Sequence, residues 1–201
     1  MNRSAFRPAP AIIVFALAAA ACGGAPEYDA KALEVPFVDQ YDPAGKGPLY
    51  DGSMNCGPAL LAGIAKAQGM TTGYTDAEVV VELAEVAGTD EDGTTGHGMI
   101  AALEWMGMQT DASPGADLYW IDDELTAGHV VIANGDYYSL PGREDPVKVA
   151  GHYIAVTGVY DDWSTYEVVD PAERNCTALA DWQLATFIEN ATEGGFTISA
   201  W

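Results

Sequence analysis

The chain has 201 residues, of which 49% are hydrophobic and 19% are charged, and this composition is typical of one globular domain and excludes a disordered chain. Its 30 acidic residues against 8 basic residues give a formal net charge of -22. Such a charge disfavours binding to nucleic acid or to anionic membrane and is typical of a solvated acidic surface. We therefore expect no nucleic-acid partner. We also expect a monomer.

Residues 1–21 have the pattern of a signal peptide. Arg3 and Arg7 supply positive charge, an apolar run extends from Ala11 to Ala21, and the small residues before Cys22 permit cleavage. This run is too short to span a bilayer as a stable helix. The pattern predicts an exported protein.

Cys22 follows those small residues directly and precedes two glycines, which resembles a bacterial lipoprotein lipobox. The resemblance implies that Cys22 is acylated and anchors the mature chain to the bacterial cell envelope, at the outer membrane or cell surface. The motif usually carries leucine where this chain has Ala19, so ordinary secretion is the alternative. We interpret residues 22–32 as a lipidated tether and residues 33–201 as the folded domain.

The folded part begins with helices and ends with strands. A short edge strand is predicted over 33–38, followed by a Gly- and Pro-rich loop at 41–54. The order of the later elements predicts an α+β domain with an antiparallel sheet. Apolar periodicity and helix-end signals predict helices over 56–68, 75–87, 95–106 and 178–189, and alternating β-branched or aromatic runs predict strands over 129–133, 152–158, 166–169 and 196–199.

Cys56 opens the first of these helices. Asn55 is a favoured N-cap, so Cys56 occupies the first helical position, where unpaired amides and the helix dipole stabilise a thiolate. The alternative is a buried structural cysteine or half of a disulfide. Cys176 is the remaining cysteine if Cys22 carries lipid, and in an oxidising compartment a Cys56–Cys176 bond is the main rival to catalysis.

A cysteine nucleophile needs a base, a group that orients the base, and donors for the oxyanion. His152 opens an apolar strand and Asp170 ends the next one, so a hairpin would bring the two side chains together. Gln40 could offer a side-chain amide beside the Cys56 backbone N–H. Each of these residues also has an ordinary structural interpretation, and only the combination points to catalysis.

The combination resembles the papain-like cysteine peptidases, and especially cysteine peptidase family 39, whose members include bacteriocin-processing enzymes that cleave double-glycine leaders. The resemblance extends from about residue 35 to 199 and rests on four motifs: Val35–Gln40, Asn55–Ala59, Gly151–Gly158 and Val169–Pro171.

The resemblance implies a papain-like fold in which N-terminal helices around the nucleophile helix pack on an antiparallel sheet. It also implies that Cys56 is the nucleophile, His152 the general base, Asp170 the orienting carboxylate and Gln40 the oxyanion donor, with no metal or cofactor. His129 is a weaker candidate base because it begins the preceding strand. The transporter-linked members carry a membrane domain and an ATPase, and nothing in this sequence resembles either one.

Two classes of function follow from this resemblance. The first is a thiol peptidase or amide hydrolase that acts on a peptide or protein substrate at the cell envelope. The second is a tethered papain-like binding module without turnover. A peptide-crosslinking acyltransferase is a third possibility of lower weight.

Overall fold

The computed structural model describes residues 28–41, 52–160, 163–192 and 194–201. The predicted signal peptide, Cys22 and most of the predicted loop at 41–54 lie outside the described residues. Within these ranges the helices are α1 (Cys56–Ala67), α2 (Asp76–Ala87), α3 (Gly96–Trp105), α4 (Leu118–Thr126) and α5 (Asp181–Glu189). The strands are β1 (Tyr28–Lys31), β2 (Thr110–Pro114), β3 (Val130–Asp136), β4 (Gly151–Tyr160), β5 (Thr165–Val169), β6 (Ala178–Ala180) and β7 (Phe196–Ala200).

The strands form one antiparallel sheet in the order β2-β7-β3-β4-β5-β6, with β1 paired to β4. One edge of β4 pairs with β5, so β3 and β1 share the other edge, with β1 beyond the end of β3. The predicted α+β class and the successive antiparallel strands are confirmed. β4 is the strand on which the rest of the sheet is centred.

The sheet is buried on both faces. Alternate residues of β3 and β4 point to opposite sides, so that Ile132 and Ala155 lie in one core while Val131 and Ile154 lie in the other. Helices α1 to α3 cover the first core, and α4 and α5 cover the second. Two-sided burial explains why β3 and β4 have nearly continuous apolar runs rather than clean alternation.

The helix-end predictions agree with the structure at α2 and α3. Thr75 and Glu78 form a reciprocal capping box at the start of α2, and Gly88 ends it in the left-handed conformation (φ 65°). Thr95 caps α3 through the Gly98 N–H. Among the described residues, no helix combines the length and the apolar character needed to cross a bilayer.

The predicted edge strand over 33–38 is wrong. This segment runs across α1, where Val35 and Val38 are buried in the same core as the helix. A Cβ on Gly63 would stand 2.7 Å from the Pro36 carbonyl oxygen, so only glycine permits this close crossing. The apolar residues of the segment therefore reflect packing against a helix and not strand pairing.

The structure corrects two other boundaries and adds two elements. Residues 28–31 fall in the predicted tether but form β1, so the described fold begins at least five residues before the predicted boundary at residue 33. The predicted helix over 178–189 begins only at Asp181, because its first three residues pair with β5. Helix α4 and strand β2 were not predicted. Helix α4 buries only Ile121 and Leu125 and strand β2 is largely exposed, so their apolar patterns are weak.

Candidate active site

Cys56 is the first residue of α1, as the sequence predicts. It is 7% exposed, and the backbone amides of Gly57 and Tyr153 donate hydrogen bonds to its sulfur. Gly57 belongs to the first turn of the helix, whereas Tyr153 belongs to β4. The sulfur therefore lies where the N-terminus of the buried helix meets the central strand.

The second residue of β4, His152, lies against the residue that follows β5, Asp170. His152 Nε2 is 2.8 Å from Asp170 Oδ1, and both side chains are almost entirely buried. The Ala172 N–H donates to the same carboxylate oxygen over 2.9 Å. The meeting of the two strand ends that the sequence predicts is thus present in the structure.

The Cys56 thiol and the His152 ring are also hydrogen-bonded to each other. His152 therefore stands between the sulfur and the carboxylate, which is the order needed for a thiol, its base and an orienting group.

The surroundings of Cys56 and His152 favour the charged forms of both side chains. Burial alone would raise the pKa of the Cys56 thiol, but the hydrogen bond and charge of His152 lower it overall. Burial opposes the charged imidazole of His152, yet its bonds to Asp170 and Cys56 raise its pKa to about 9. The arrangement is therefore suited to a thiolate–imidazolium pair, the reactive state of a cysteine nucleophile.

Gln40 is buried, and its backbone ties together the segments that carry Cys56 and Asp170. Its N–H donates to the Pro171 carbonyl over 3.0 Å, and its own carbonyl accepts from Asn55 Nδ2 over 3.1 Å. Its side-chain Nε2 donates to the Gly52 carbonyl over 3.2 Å. The predicted role of Gln40 as an oxyanion donor stays a prediction.

The predicted N-cap position of Asn55 is confirmed, but the capping is not made by its side chain. Asn55 does precede the helix, but its side chain makes no capping bond and its amide donates to Gln40 instead. Tertiary contact thus overrides the local capping preference of asparagine.

Sequence reasoning missed Arg143 and Tyr137. Arg143 Nη2 lies 2.7 Å from Asp170 Oδ2, and its guanidinium lies over the Tyr137 ring at 4.6 Å from the centroid. The Tyr137 ring meets the His152 ring edge-on at 5.2 Å. The available signal was charge, since an arginine shortly before the His152 strand is conspicuous in a chain with so few basic residues.

Cys176 is a free, partly buried thiol, and it is not bonded to Cys56. Burial raises its pKa to about 11. It borders a cavity of about 180 Å³ that is lined by residues of β5 and of the 34–37 segment, and Asp170 also lines this cavity. The predicted rival, a Cys56–Cys176 disulfide, is absent among the described cysteines.

His129 lies away from this cluster. It directly precedes β3, and because β3 runs antiparallel to β4, the opposite end of β3 pairs near His152. Its Nδ1 is 2.7 Å from Glu124 Oε2, and its ring stacks on Trp201. This ordinary structural environment gives His129 no contact with Cys56.

Over the ranges that the structure describes, no group of three or more His, Cys, Asp or Glu side chains is arranged to hold a metal ion.

Among known sequences, the similarity is limited to a short part of the chain. No protein-family model matches the chain. A stretch of 57 residues is 46% identical to an uncharacterized protein of Methanothermobacter thermautotrophicus, and this covers 28% of the present chain. The chain spans 36% of the length of that relative.

Comparison with solved structures shows the fold. A C39-like peptidase from Bacillus anthracis matches with a TM-score of 0.58 and 14% identity, over 86% of this chain and 96% of that one. A double-glycine motif protease from an AMS/PCAT transporter, solved with its leader peptide, matches with a TM-score of 0.54 and 15% identity, over 87% and 96%. The peptidase domain of Streptococcus ComA, a bifunctional ABC transporter, gives 0.51 and 22%, over 73% and 90%.

These likenesses, together with the mixed architecture, define the class of fold. The chain has the papain-like α+β fold of C39 peptidase domains. The predicted fold class is thereby confirmed.

Proposed function

We propose that this protein is a thiol-dependent hydrolase that cleaves peptide or amide bonds. Cys56 is the nucleophile, His152 the general base and acid, Asp170 the orienting carboxylate and Gln40 the oxyanion donor. The observation that carries the proposal is the continuous hydrogen-bonded series from the Cys56 sulfur through His152 to Asp170. The papain-like fold supports it, since this fold can place such a series at a helix N-terminus.

The reaction begins when the Cys56 thiolate attacks the substrate carbonyl carbon and a C–S bond forms. The carbonyl oxygen becomes an oxyanion, which the Cys56 N–H and the Gln40 amide stabilise. His152 then gives its proton to the leaving nitrogen, the C–N bond breaks, and a thioester remains. Water loses a proton to His152 and attacks the thioester, releasing the acid and restoring the thiolate.

Peptides are the proposed substrate class. One structural neighbour is a protease solved in complex with its leader peptide, and this supports a peptide or protein substrate for the present chain. The proposed chemistry uses no metal or cofactor. The protein is proposed to act as a monomer without a nucleic-acid partner.

The near burial of the reacting atoms favours a second candidate, a papain-like binding module without turnover. Cys56 is 7% exposed and His152 is 2% exposed, so a substrate carbonyl has little direct access to the sulfur. In this case the cluster would stabilise the fold, and the protein would bind peptides at the cell surface without cleaving them.

Labelling with an iodoacetamide probe separates the two candidates. The proposed hydrolase should react rapidly at Cys56 near neutral pH, whereas Cys176, whose pKa is raised to about 11, should react slowly in the same molecule. Peptide mapping identifies the labelled residue, and Cys56→Ser is the matched control. A fully reduced, folded protein whose Cys56 stays inert would support the binding module instead.

We also propose that the chain is exported and anchored to the bacterial cell envelope by lipid on Cys22. The support is the signal-peptide pattern that ends at this cysteine. Several acyl chains on one N-terminus would hold it firmly, since a single myristoyl chain binds only marginally. Cys22→Ser should move the protein to the soluble fraction, and a variant that stays with membrane would contradict the proposal.

A further inference from the structure

Arg143 differs from the other basic side chains of the described residues in how deeply it is buried. Its side chain is 12% exposed, whereas those of Lys31, Lys66 and Lys148 are 36%, 39% and 61% exposed in their own ion pairs. Burying a cation is costly unless it is well paired. In so acidic a chain this site therefore requires a specific explanation.

Four side chains contact one another in a closed ring: Arg143, Asp170, His152 and Tyr137. Arg143 Nη2 lies 2.7 Å from Asp170 Oδ2, while Asp170 Oδ1 lies 2.8 Å from His152 Nε2. The guanidinium also lies over the face of Tyr137, whose ring meets His152 edge-on. Each of these four side chains thus contacts two of the others.

The connection that carries Arg143 is held at both of its ends. The Tyr137 N–H donates to the Ala150 carbonyl over 2.8 Å, and the Ala150 N–H donates to Asp136 Oδ1 over 2.9 Å. The Arg143 N–H itself donates to the Leu140 carbonyl over 3.1 Å. The guanidinium is therefore placed by the backbone of this connection and not by a flexible surface chain.

We propose that Arg143 is a positioning residue, which holds Oδ2 of Asp170 and thereby weakens the stabilisation that this carboxylate gives to the His152 imidazolium. A carboxylate shared by two cations stabilises each of them less than an unshared one. The His152 imidazolium consequently releases its proton more readily than it would opposite Asp170 alone. This inference rests on the proposed function, because proton release from His152 matters to the protein only if His152 acts as an acid and base.

The charge distribution around Asp170 supports this arrangement. Burial alone would raise the pKa of the Asp170 carboxyl, but the His152 bond and then the charges of His152 and Arg143 lower it overall. The carboxylate therefore stays ionised between its two partners. The other titratable groups near His152 and Asp170 are Cys56 on α1, Asp136 at the end of β3, Tyr137, Tyr41 and Cys176.

Titration of His152 by two-dimensional ¹H–¹⁵N NMR tests the proposal in the full chain. A Cys56→Ala background removes the coupled thiol, and the other two histidines, His97 and His129, are assigned by substitution. Arg143→Met should raise the pKa of His152 by about one unit, a roughly tenfold tighter hold on the proton. Lys148→Met is the matched control, because Lys148 lies in the same connection but is exposed and pairs with a different carboxylate, Asp145.

A His152 pKa that is unchanged or lowered in folded Arg143→Met protein would overturn the proposal. A merely structural Arg143 would alter the denaturation midpoint and leave the titration of His152 in place. If Arg143→Met does not fold, Arg143→Gln keeps a polar side chain at this position without the charge, and the same rise is expected. Failure of the proposed hydrolase is recognised separately, by an inert Cys56 in the wild type, and leaves this titration valid.

Discussion

The His152 imidazole and the Asp170 carboxylate share a 2.8 Å hydrogen bond, with 3% and 0% of their side chains exposed. A bond so shielded from water keeps its strength, because solvent screening is weak there. This hydrogen bond also affects the nucleophile. Asp170 stabilises the positive charge on His152, and that charge lowers the pKa of the Cys56 thiol.

The reactivity of Cys56 should persist well below the usual thiol pKa of about 8.5. The pKa of Cys56 is lowered, so its thiolate is lost only as the pH falls through that lowered value. His152, with a pKa of about 9, stays protonated until the pH rises through that value. The rate of iodoacetamide labelling as a function of pH measures the lower limit.

His152→Gln should remove this reactivity near pH 7. Burial raises the pKa of the Cys56 thiol when His152 is not there to oppose it, and each unit of increase lowers the thiolate fraction about tenfold. His129→Gln is the matched control, since His129 pairs with Glu124 far from the sulfur. Equal labelling of the His152→Gln variant and the wild type at pH 7 would contradict the proposed thiolate–imidazolium pair.

Gln40→Ala should slow turnover more than it slows alkylation. Loss of one oxyanion donor costs about 10² to 10³ in kcat, whereas alkylation of sulfur forms no oxyanion and needs no such donor. The test compares kcat on any peptide that the wild type cleaves with the labelling rate of Cys56. A parallel fall in both rates would mean that the Gln40 side chain acts by holding the Gly52 carbonyl and not by binding the oxyanion.

Asp170→Asn should destabilise the fold as well as impair the site. It leaves the buried Arg143 guanidinium without its anionic partner, and breaking a buried pair in this way typically costs about 3–5 kcal/mol. Chemical denaturation measures the loss. Asp76→Asn breaks the exposed pair with Lys66 and should cost no more than about 1 kcal/mol.

The double variant Asp170→Asn with Arg143→Met distinguishes the effect of the buried Arg143 charge from the effect of Arg143 packing. Removing the orphaned guanidinium should restore part of the stability lost in Asp170→Asn, because the uncompensated buried charge is gone. If the double variant were less stable than Asp170→Asn alone, the Arg143 side chain would contribute mainly through packing on Tyr137.

Gly63→Ala should destabilise the crossing of the 33–38 segment over α1. The new Cβ would stand 2.7 Å from the Pro36 carbonyl oxygen, so the segment must move, at a cost of about 1–3 kcal/mol. Gly151→Ala is a useful control for stability, because its Cβ would meet no atom within 4 Å. Equal denaturation midpoints for the two variants would show that the 33–38 segment can move away from α1 without loss of stability.

The sequence was most informative where one residue type has few alternatives. Asn55 as a favoured N-cap predicted the start of α1, and the strand ending in Asp170 predicted its meeting with His152. Arg143 could not be placed in the same way, because it lies in a connection without periodicity and its contact with Asp170 depends on how that connection folds back. The 33–38 segment was misassigned because extended apolar residues look alike whether they face a strand or a helix.

The pairing of β1 with β4 sets an orientation for a tethered molecule. Tyr28 pairs with Tyr160, eight residues along β4 from His152, which is roughly 26 Å at the usual rise of a strand. Under the proposed lipidation, Cys22 lies only six residues before Tyr28, so the anchor joins the sheet at the end remote from Cys56. Under that proposal the membrane attachment enters the domain at the end of β4 remote from His152, which leaves the Cys56 end free to meet substrates away from the attachment point.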